Sequence, residues 1–134
     1  VEQFQAAVLA ARNPAFIDPK AGGSSGIYLD GLFQRMGIAE AIRPKAVLVP
    51  GGLVAERLVT GEADLAIHQI SEILPVAGAE LVGPLPDSIQ NYTVYAAAIA
   101  TGSSQGAAAR ALIDLLRSPA AQVIIQSKGM ERTE

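Results

Sequence analysis

Two glycine-rich stretches contain the residues best suited to binding chemistry. The first runs from Gly22 to Gly26 and reads GGSSG, and the second is formed by Gly51 and Gly52. Glycines let the main chain approach a ligand closely, and serine hydroxyls supply neutral hydrogen-bond donors. Each stretch precedes a segment with helical periodicity, where the first backbone N–H groups lack helical partners and attract anions. The two stretches together predict a site for a small anion or polar ligand, and a serine cap on a tight turn is the alternative for the first.

Three more polar residues follow or end predicted strands. Gln69 is placed to donate to a ligand or to bond the adjacent turn, and Asp18 is expected to accept backbone N–H bonds that hold its own loop. His68 is the only histidine, which is more typical of a structural or pocket-lining residue than of a general base. Because the chain has one histidine and no cysteine, neither a histidine-based metal cluster nor a thiolate metal site is available. Because neither glycine stretch matches a nucleotide-binding motif and no nucleophile or paired acid stands near His68, we expect no metal, no cofactor and no enzymatic activity.

The elements that position these residues alternate between strand and helix patterns. Strands are predicted at residues 14–18, 45–50, 63–69, 79–83 and 91–102. Between the first two, Leu29, Leu32, Phe33 and Met36 follow the spacing of one helical face. This alternation predicts an α/β fold, a three-layer sandwich with a mostly parallel sheet of about five strands. Strand-to-helix turns lie at the carboxyl edge of such a sheet, so the polar candidates are expected to face one crevice.

Composition restricts the possible partners of the chain. Its 134 residues are 50% hydrophobic, which is enough for one core. Its net charge is -3, so we expect no nucleic-acid partner, because a negative chain does not attract the phosphate backbone. The longest apolar run falls far short of the ~20 residues that a membrane helix needs. The sequence starts in mid-helix pattern, without an initiator methionine or a signal-peptide layout, and is therefore interpreted as a possible fragment.

Longer motifs resemble a known family. The run DPKAGGSSGIYLDGLFQRMGI, followed by RPKAVLVPGGLVAERLVTGEADLAIHQISEILPVAGAELVGPLP, resembles the second lobe of the molybdate-type periplasmic substrate-binding proteins of ABC transporters. NYTVYAAAIATGSS and ARALIDLLRSPAAQVIIQSKGM resemble the return segment and closing helices of that family. The resemblance implies one lobe of a type II periplasmic binding protein. Residues 1–134 would form a single substrate-binding lobe without the N-terminal lobe, with a core at 14–90 and a return strand and closing helices at 91–134.

The resemblance also implies a function. The protein would be the solute-binding component of an ABC-type uptake system in the periplasm, with a small anionic ligand and a membrane permease as partners. The expected ligand-binding residues are Gly23, Ser24, Ser25, Gly26, Gly51, Gly52, His68 and Gln69. The ligand-binding backbone amides of the family fall on Ser25 and Gly52. Its tyrosine ligand falls on Gln69, and this departure leaves an organic acid or a phosphorylated compound as open as molybdate.

Other functions are compatible with the same fold. The alternative is the effector-sensing domain of a LysR-type transcription regulator, which a DNA-binding helix-turn-helix before Val1 would indicate. An enzyme with His68 as its base and a pure interaction module are two further possibilities. If the lobe is isolated, the surface that faces the first lobe in the family is exposed, so self-association is also expected.

Overall fold

The computed structural model describes residues 1–132. Its internal contacts divide the chain into two compact units, Val1–Asn91 and Tyr92–Glu134. Of the elements in residues 1–132, the first unit contains the sheet and all but two of the helices. No helix within the described residues combines the length and apolar character needed to cross a membrane.

A small parallel sheet organises the first unit. Its strands are β1 (Pro14–Ile17), β2 (Val47–Val49) and β3 (Leu65–Ala66), in the order β2-β1-β3. Phe16 of β1 is paired with Leu48, and Ala15 is paired with Ala66. The crossover connections between parallel strands hold the helices. Three of the predicted strands are therefore confirmed, with shorter bounds.

The residues that the structure describes form seven α-helices. They are α1 (Glu2–Ala10), α2 (Ser24–Arg35), α3 (Ala39–Ile42), α4 (Glu56–Val59), α5 (Ile70–Ile73), α6 (Gly106–Arg117) and α7 (Pro119–Ser127). Single 3₁₀ turns occur at Pro19–Ala21, Arg43–Lys45 and Asp87–Ile89. The long helix α2 ends where Gly37 adopts a positive φ of 69°, a conformation that glycine reaches at little cost.

Apolar residues form two clusters that share the alternating side chains of β1. Phe16 belongs to one cluster and packs edge-on against Phe33 of α2, with ring centroids 5.5 Å apart. The neighbours of Phe16 in the strand, Ala15 and Ile17, belong to the other cluster, with Val54. Because successive side chains of a strand point to opposite faces, β1 is covered on both sides. The predicted α2 face is confirmed, since Leu29, Leu32 and Phe33 are buried and Met36 packs against them.

Three polar side chains fasten the loops of this unit. Lys45 Nζ donates to the carbonyls of Leu9 at 2.6 Å and Ala11 at 2.5 Å, at the end of α1. Asp64 accepts the backbone N–H of Arg12 and of Asn13 at 2.8 and 2.9 Å. The hydroxyl of Tyr28 donates to the carbonyl of Ile89 at 2.5 Å. These contacts join residues that are distant in sequence, so they stabilise the tertiary fold.

The prediction of a five-stranded sheet is wrong. Within the described residues the sheet has three strands, and the predicted strands at 79–83 and 91–102 join no ladder. A strand is stable only when a neighbour completes its hydrogen bonds, and β propensity depends on packing against that neighbour. Val82 is 97% exposed and Tyr92 is 68% exposed, so neither segment offers an apolar face to a core.

The described part of the second unit contains the helices α6 and α7. Ser118 separates the two helices, and its Oγ accepts the backbone N–H of Ala121 at 3.2 Å. Pro119 occupies the first position of α7, where its missing N–H costs nothing. The predicted helix restart is therefore confirmed. The apolar side chains of both helices are mostly exposed, among them Leu112, Leu115, Leu116, Val123 and Ile124.

Candidate functional site

The loops that carry the predicted site residues leave the sheet at one edge. All three strands are parallel, so their carboxyl ends lie together. Beyond the ladders, Asp18 N donates to Val49 O at 2.8 Å and Ile67 N donates to Ala15 O at 3.0 Å. The last pair of the β1–β3 ladder is Ala15 with Ala66. If this register is continued by two residues, His68 lies opposite Ile17. This edge therefore brings the beginning of α2, the Gly51–Gly52 turn and His68 into one region.

The first glycine stretch forms the start of α2. Gly23 is the N-cap residue, with Ser24 and Ser25 in the first turn, so the helix has no serine at its cap position. The N–H groups of Ser25 and Gly26 have no acceptor earlier in the helix, because helical bonds reach back four residues. The aligned peptide dipoles of this 12-residue helix give its N-terminus about half a positive charge. The first turn of α2 is therefore suited to a carboxylate or another oxyanion.

Two of these glycines also have a packing role that the sequence analysis missed. A Cβ on Gly26 would collide with the carbonyl oxygen of Ile17 and lie 2.9 Å from its carbonyl carbon. A Cβ on Gly23 would lie 2.7 Å from Cγ2 of the same isoleucine. Glycine at both positions lets the first turn of α2 lie directly on the end of β1. The spacing of the two glycines by three residues, one helical turn, is the signal that could have indicated this contact.

The second glycine stretch differs from the prediction. Helix α4 begins only at Glu56, so Gly51 and Gly52 form a turn and not a helix start. Gly52 needs its glycine for a positive φ of 83°, whereas Gly51 has an ordinary φ, and a Cβ there would meet no atom within 4 Å. Val54 and Ala55 are both fully buried and anchor the turn from its far side. Gly51 and Gly52 are both exposed, and a Cβ on Gly52 would also meet no atom within 4 Å.

His68 forms a close pair with a residue that the sequence analysis did not select. Its Nε2 lies 2.8 Å from Oε2 of Glu72, which is four residues further on and belongs to α5. The side chain of His68 is only 4% exposed, whereas that of Glu72 is 36% exposed. Burial lowers the pKa of His68 below its usual range, and the Glu72 carboxylate opposes this shift only in part. The direction of this shift favours the neutral imidazole, which has a carboxylate at one nitrogen.

The second nitrogen of His68 has a different environment. Nδ1 is buried and has no hydrogen-bond partner among residues 1–132. A buried polar atom without a partner is uncommon in proteins and calls for a structural or functional explanation. His68 lies before the N-cap residue Gln69 and outside α5, so its spacing from Glu72 is not that of a helical pair and could not have indicated the contact.

The remaining polar candidates have structural contacts. Gln69 is the N-cap residue of α5, and its carbonyl accepts the N–H of Glu72 at 3.0 Å. Asp18 accepts the N–H of Lys20 at 2.9 Å, which confirms that it holds its own loop. In the part of the chain that the structure describes, no group of three histidine, cysteine, aspartate or glutamate side chains is placed to hold a metal ion.

Comparison with known proteins gives a family and a relative. The family of bacterial extracellular solute-binding proteins matches residues 1–131. An aconitate isomerase from a Pseudomonas species is 33% identical over 132 residues, which are 98% of this chain and 49% of that protein. The chain thus spans about half the length of this curated relative. No solved structure matches it significantly.

The relative corrects one expectation from the sequence. Its name is that of an enzyme, so our expectation that the chain has no enzymatic activity is wrong. That expectation relied on finding neither a nucleophile nor a paired acid near His68, whereas the fold brings Glu72 against it. Neither comparison supports a preference for molybdate. Since the family match covers nearly the whole sequence, the chain belongs to the bacterial extracellular solute-binding proteins.

Proposed function

We propose that the chain binds a small organic polycarboxylate, as part of a periplasmic solute-binding protein that delivers it to an ABC-type permease. The observation that carries this proposal is that the first turn of α2 and the Gly51–Gly52 turn leave the sheet at the same edge. The relative named aconitate isomerase supports an organic anion over molybdate, because aconitate is a tricarboxylate. The family match favours this function over that of a LysR-type effector domain.

In this proposal each of the two turns binds one carboxylate of the ligand. The N–H groups of Ser25 and Gly26, at the positive end of α2, receive one carboxylate. The exposed N–H groups of Gly51 and Gly52 receive a second carboxylate on the same ligand. A polycarboxylate can satisfy both sets of donors at once because its charged groups are separated along a carbon skeleton. A compact inorganic oxyanion has no such separation, and we therefore expect it to bind more weakly.

A second candidate function is isomerisation of the bound ligand. The observation that favours it is the pair formed by His68 and Glu72 at the same edge of the sheet, in which the partly exposed Glu72 carboxylate is an accessible base held 2.8 Å from Nε2 of the imidazole. Isomerisation of an unsaturated polycarboxylate by proton transfer requires a base, and it requires neither a metal nor a nucleophile. Binding and isomerisation are compatible, since the same contacts that hold the carboxylates would hold the reacting carbons.

The test of binding is an amide-resolved NMR titration of the 134-residue chain. The panel contains trans-aconitate, cis-aconitate, citrate, molybdate and sulfate. We expect shifts at Ser25, Gly26, Gly51 and Gly52 with the tricarboxylates, and weaker shifts at the same positions with the inorganic anions. Shifts elsewhere, or none with any anion, would argue against the proposed site.

A matched pair of variants sharpens this test. Gly51→Ala adds a methyl group where the protein leaves open space and φ is ordinary, so the fold is expected to tolerate it. If a ligand lies against this turn, the methyl group should weaken its affinity about tenfold, or ~1.4 kcal/mol. Gly102→Ala is the control, because a Cβ there also meets nothing within 4 Å and φ is also ordinary. Equal affinities for the two variants would exclude close approach at Gly51.

We also propose that the chain associates with itself in solution. The exposed leucines, valine and isoleucine of α6 and α7 support this, because soluble proteins rarely leave several large apolar side chains of neighbouring helices in water. Sedimentation equilibrium at high protein concentration measures the association directly. A single monomeric species across the concentration range would exclude it.

A further inference from the structure

Glu72 puts a carboxylate at the edge of the sheet where we propose that an anion binds. Its Oε2 lies 2.8 Å from Nε2 of His68, whose side chain is almost fully buried. The Glu72 side chain is partly exposed, so it reaches solvent from this buried anchor. A carboxylate has lone pairs for about four hydrogen bonds, and the contact with His68 therefore leaves Glu72 able to accept from a ligand.

The partner of Glu72 fixes its position without cancelling its charge. Burial lowers the pKa of His68, and the Glu72 carboxylate opposes this shift only in part, so the neutral imidazole is favoured. A neutral imidazole donates its Nε2–H to the carboxylate and adds no positive charge, unlike a lysine or an arginine. Glu72 is therefore a positioned hydrogen-bond acceptor that keeps its negative charge.

The order of the strands sets this acceptor beside the two proposed carboxylate-binding turns. Val49 of β2 and, in the continued register, His68 lie on opposite sides of Ile17. Neighbouring strands are about 4.8 Å apart, so about 10 Å separate the ends of β2 and β3, with the first turn of α2 packed on Ile17 between them. The edge thus presents N–H donors after β2 and β1 and a carboxylate after β3, over a distance that a small ligand and its hydrogen bonds can span.

A negative acceptor at one end of this row restricts the ligand. A ligand carboxylate opposite Glu72 would face a like charge, and two carboxylates that share no proton repel each other. A hydroxyl group brings a proton that it donates to Glu72, and a hydrogen bond to a charged group is stronger than one between neutral groups. The group expected opposite Glu72 is therefore a hydroxyl.

We infer that Glu72 is a specificity-determining residue of the proposed site and that it selects hydroxylated polycarboxylates by accepting a hydrogen bond from their hydroxyl group. This inference rests on the proposed binding of a polycarboxylate. The two glycine turns hold carboxylates of the ligand, and Glu72 distinguishes among polycarboxylates by the presence of the hydroxyl.

A matched pair of ligands tests the inference on the unaltered 134-residue chain. Citrate and tricarballylate have the same carbon skeleton and three carboxylates, and they differ by the hydroxyl on the central carbon of citrate. Affinities are measured by amide shifts at neutral pH. We expect citrate to bind about tenfold more tightly, as one hydrogen bond to a charged acceptor implies. Equal affinities would overturn the inference and leave the proposed binding intact, whereas failure of both ligands to bind would overturn the binding proposal and the inference with it.

Glu72→Gln shows whether the preference comes from this carboxylate. The amide oxygen of the glutamine can keep the bond from Nε2 of His68, so its NH₂ group takes the place of the second carboxylate oxygen and donates where Glu72 accepts. We expect tricarballylate to bind more tightly than to the unaltered chain, and the preference for citrate to fall to about equal affinity. Glu80→Gln removes the same charge from an exposed glutamate outside the pair and should retain the tenfold preference. A full preference in Glu72→Gln would overturn the inference, because a merely structural role of Glu72 would not depend on the hydroxyl of the ligand.

A further measurement needs no variant and decides if Glu72→Gln does not fold. The side-chain carboxyl ¹³C signal of Glu72 reports directly on a new hydrogen bond. We expect it to move further on saturation with citrate than with tricarballylate, whereas the signal of Glu80 should respond equally to both. An equal response of Glu72 to the two ligands would overturn the inference.

Discussion

Replacing Gly26 with alanine tests the contact that sets α2 on the end of β1. The added Cβ would collide with the carbonyl oxygen of Ile17 and approach the carbonyl carbon to 2.9 Å. Both are backbone atoms of a strand that is paired on each side, so no rotamer change can relieve the collision. Overpacking a well-ordered site costs roughly 1–3 kcal/mol, and a clash with backbone belongs at the upper end of this range.

The net effect follows from two opposing contributions. Alanine in place of glycine inside a helix stabilises it by about 1 kcal/mol. Set against a packing cost of about 3 kcal/mol, Gly26→Ala should lower the free energy of unfolding by about 2 kcal/mol. Gly31→Ala is the matched control in the same helix. Its Cβ would meet only the guanidinium end of Arg35 at 3.3 Å, and that flexible side chain can move away.

The assay is urea and thermal unfolding followed by circular dichroism at 222 nm. Gly31→Ala should be as stable as the unaltered chain or up to about 1 kcal/mol more stable. The two variants should then differ by about 2 to 3 kcal/mol, or roughly 8 to 12 °C in Tm for a chain of this size. If Gly26→Ala were as stable as Gly31→Ala, the close approach of α2 to β1 would be wrong.

Three further predictions concern polar side chains. The bonds from the Arg12 and Asn13 amides lower the pKa of Asp64, so Asp64→Asn should destabilise the chain at neutral pH. The difference in urea midpoint should disappear as the pH falls through the folded-state pKa, and a constant difference would contradict this origin. Because burial lowers the pKa of His68, the unfolded chain binds its proton more tightly, and stability should fall below about pH 6.5. His68→Gln should lack this part of the acid loss, and identical pH profiles would contradict it. Tyr28→Phe removes the bond to the Ile89 carbonyl and should cost about 1 kcal/mol in urea unfolding, whereas an unchanged midpoint would show that water replaces it.

The central elements of the fold could be predicted because their patterns are local and mutually consistent. The apolar spacing of Leu29, Leu32 and Phe33 indicates a helical face, and the structure buries all three. The restart at Ser118 and Pro119 follows from capping chemistry that acts within one turn. The parallel sheet follows from the alternation of strands and helices. These inferences need no knowledge of distant contacts.

The errors concern features that depend on distant neighbours. Residues 91–102 have strong strand propensity at their start, yet propensity cannot supply a hydrogen-bonded neighbour. The alanines that follow also provide little apolar surface to bury. The dual role of Gly26 depends on Ile17, which lies in another element. Glu72 was overlooked because a lone glutamate in a short helix has no distinguishing pattern until the fold brings it to a buried histidine.

The strand order has a consequence for how the chain folds during synthesis. Of the three strands in the described sheet, β1 is made first and is the central one, and both of its neighbours are made later. Its partner β2 is complete only when Val49 has left the ribosome, and its partner β3 only when Ala66 has done so. Pairing that spans such separations is slow because the intervening chain must first be closed into a loop. During this interval Phe16 and Ile17 are exposed, so the nascent chain should depend on chaperones most strongly before β3 is complete.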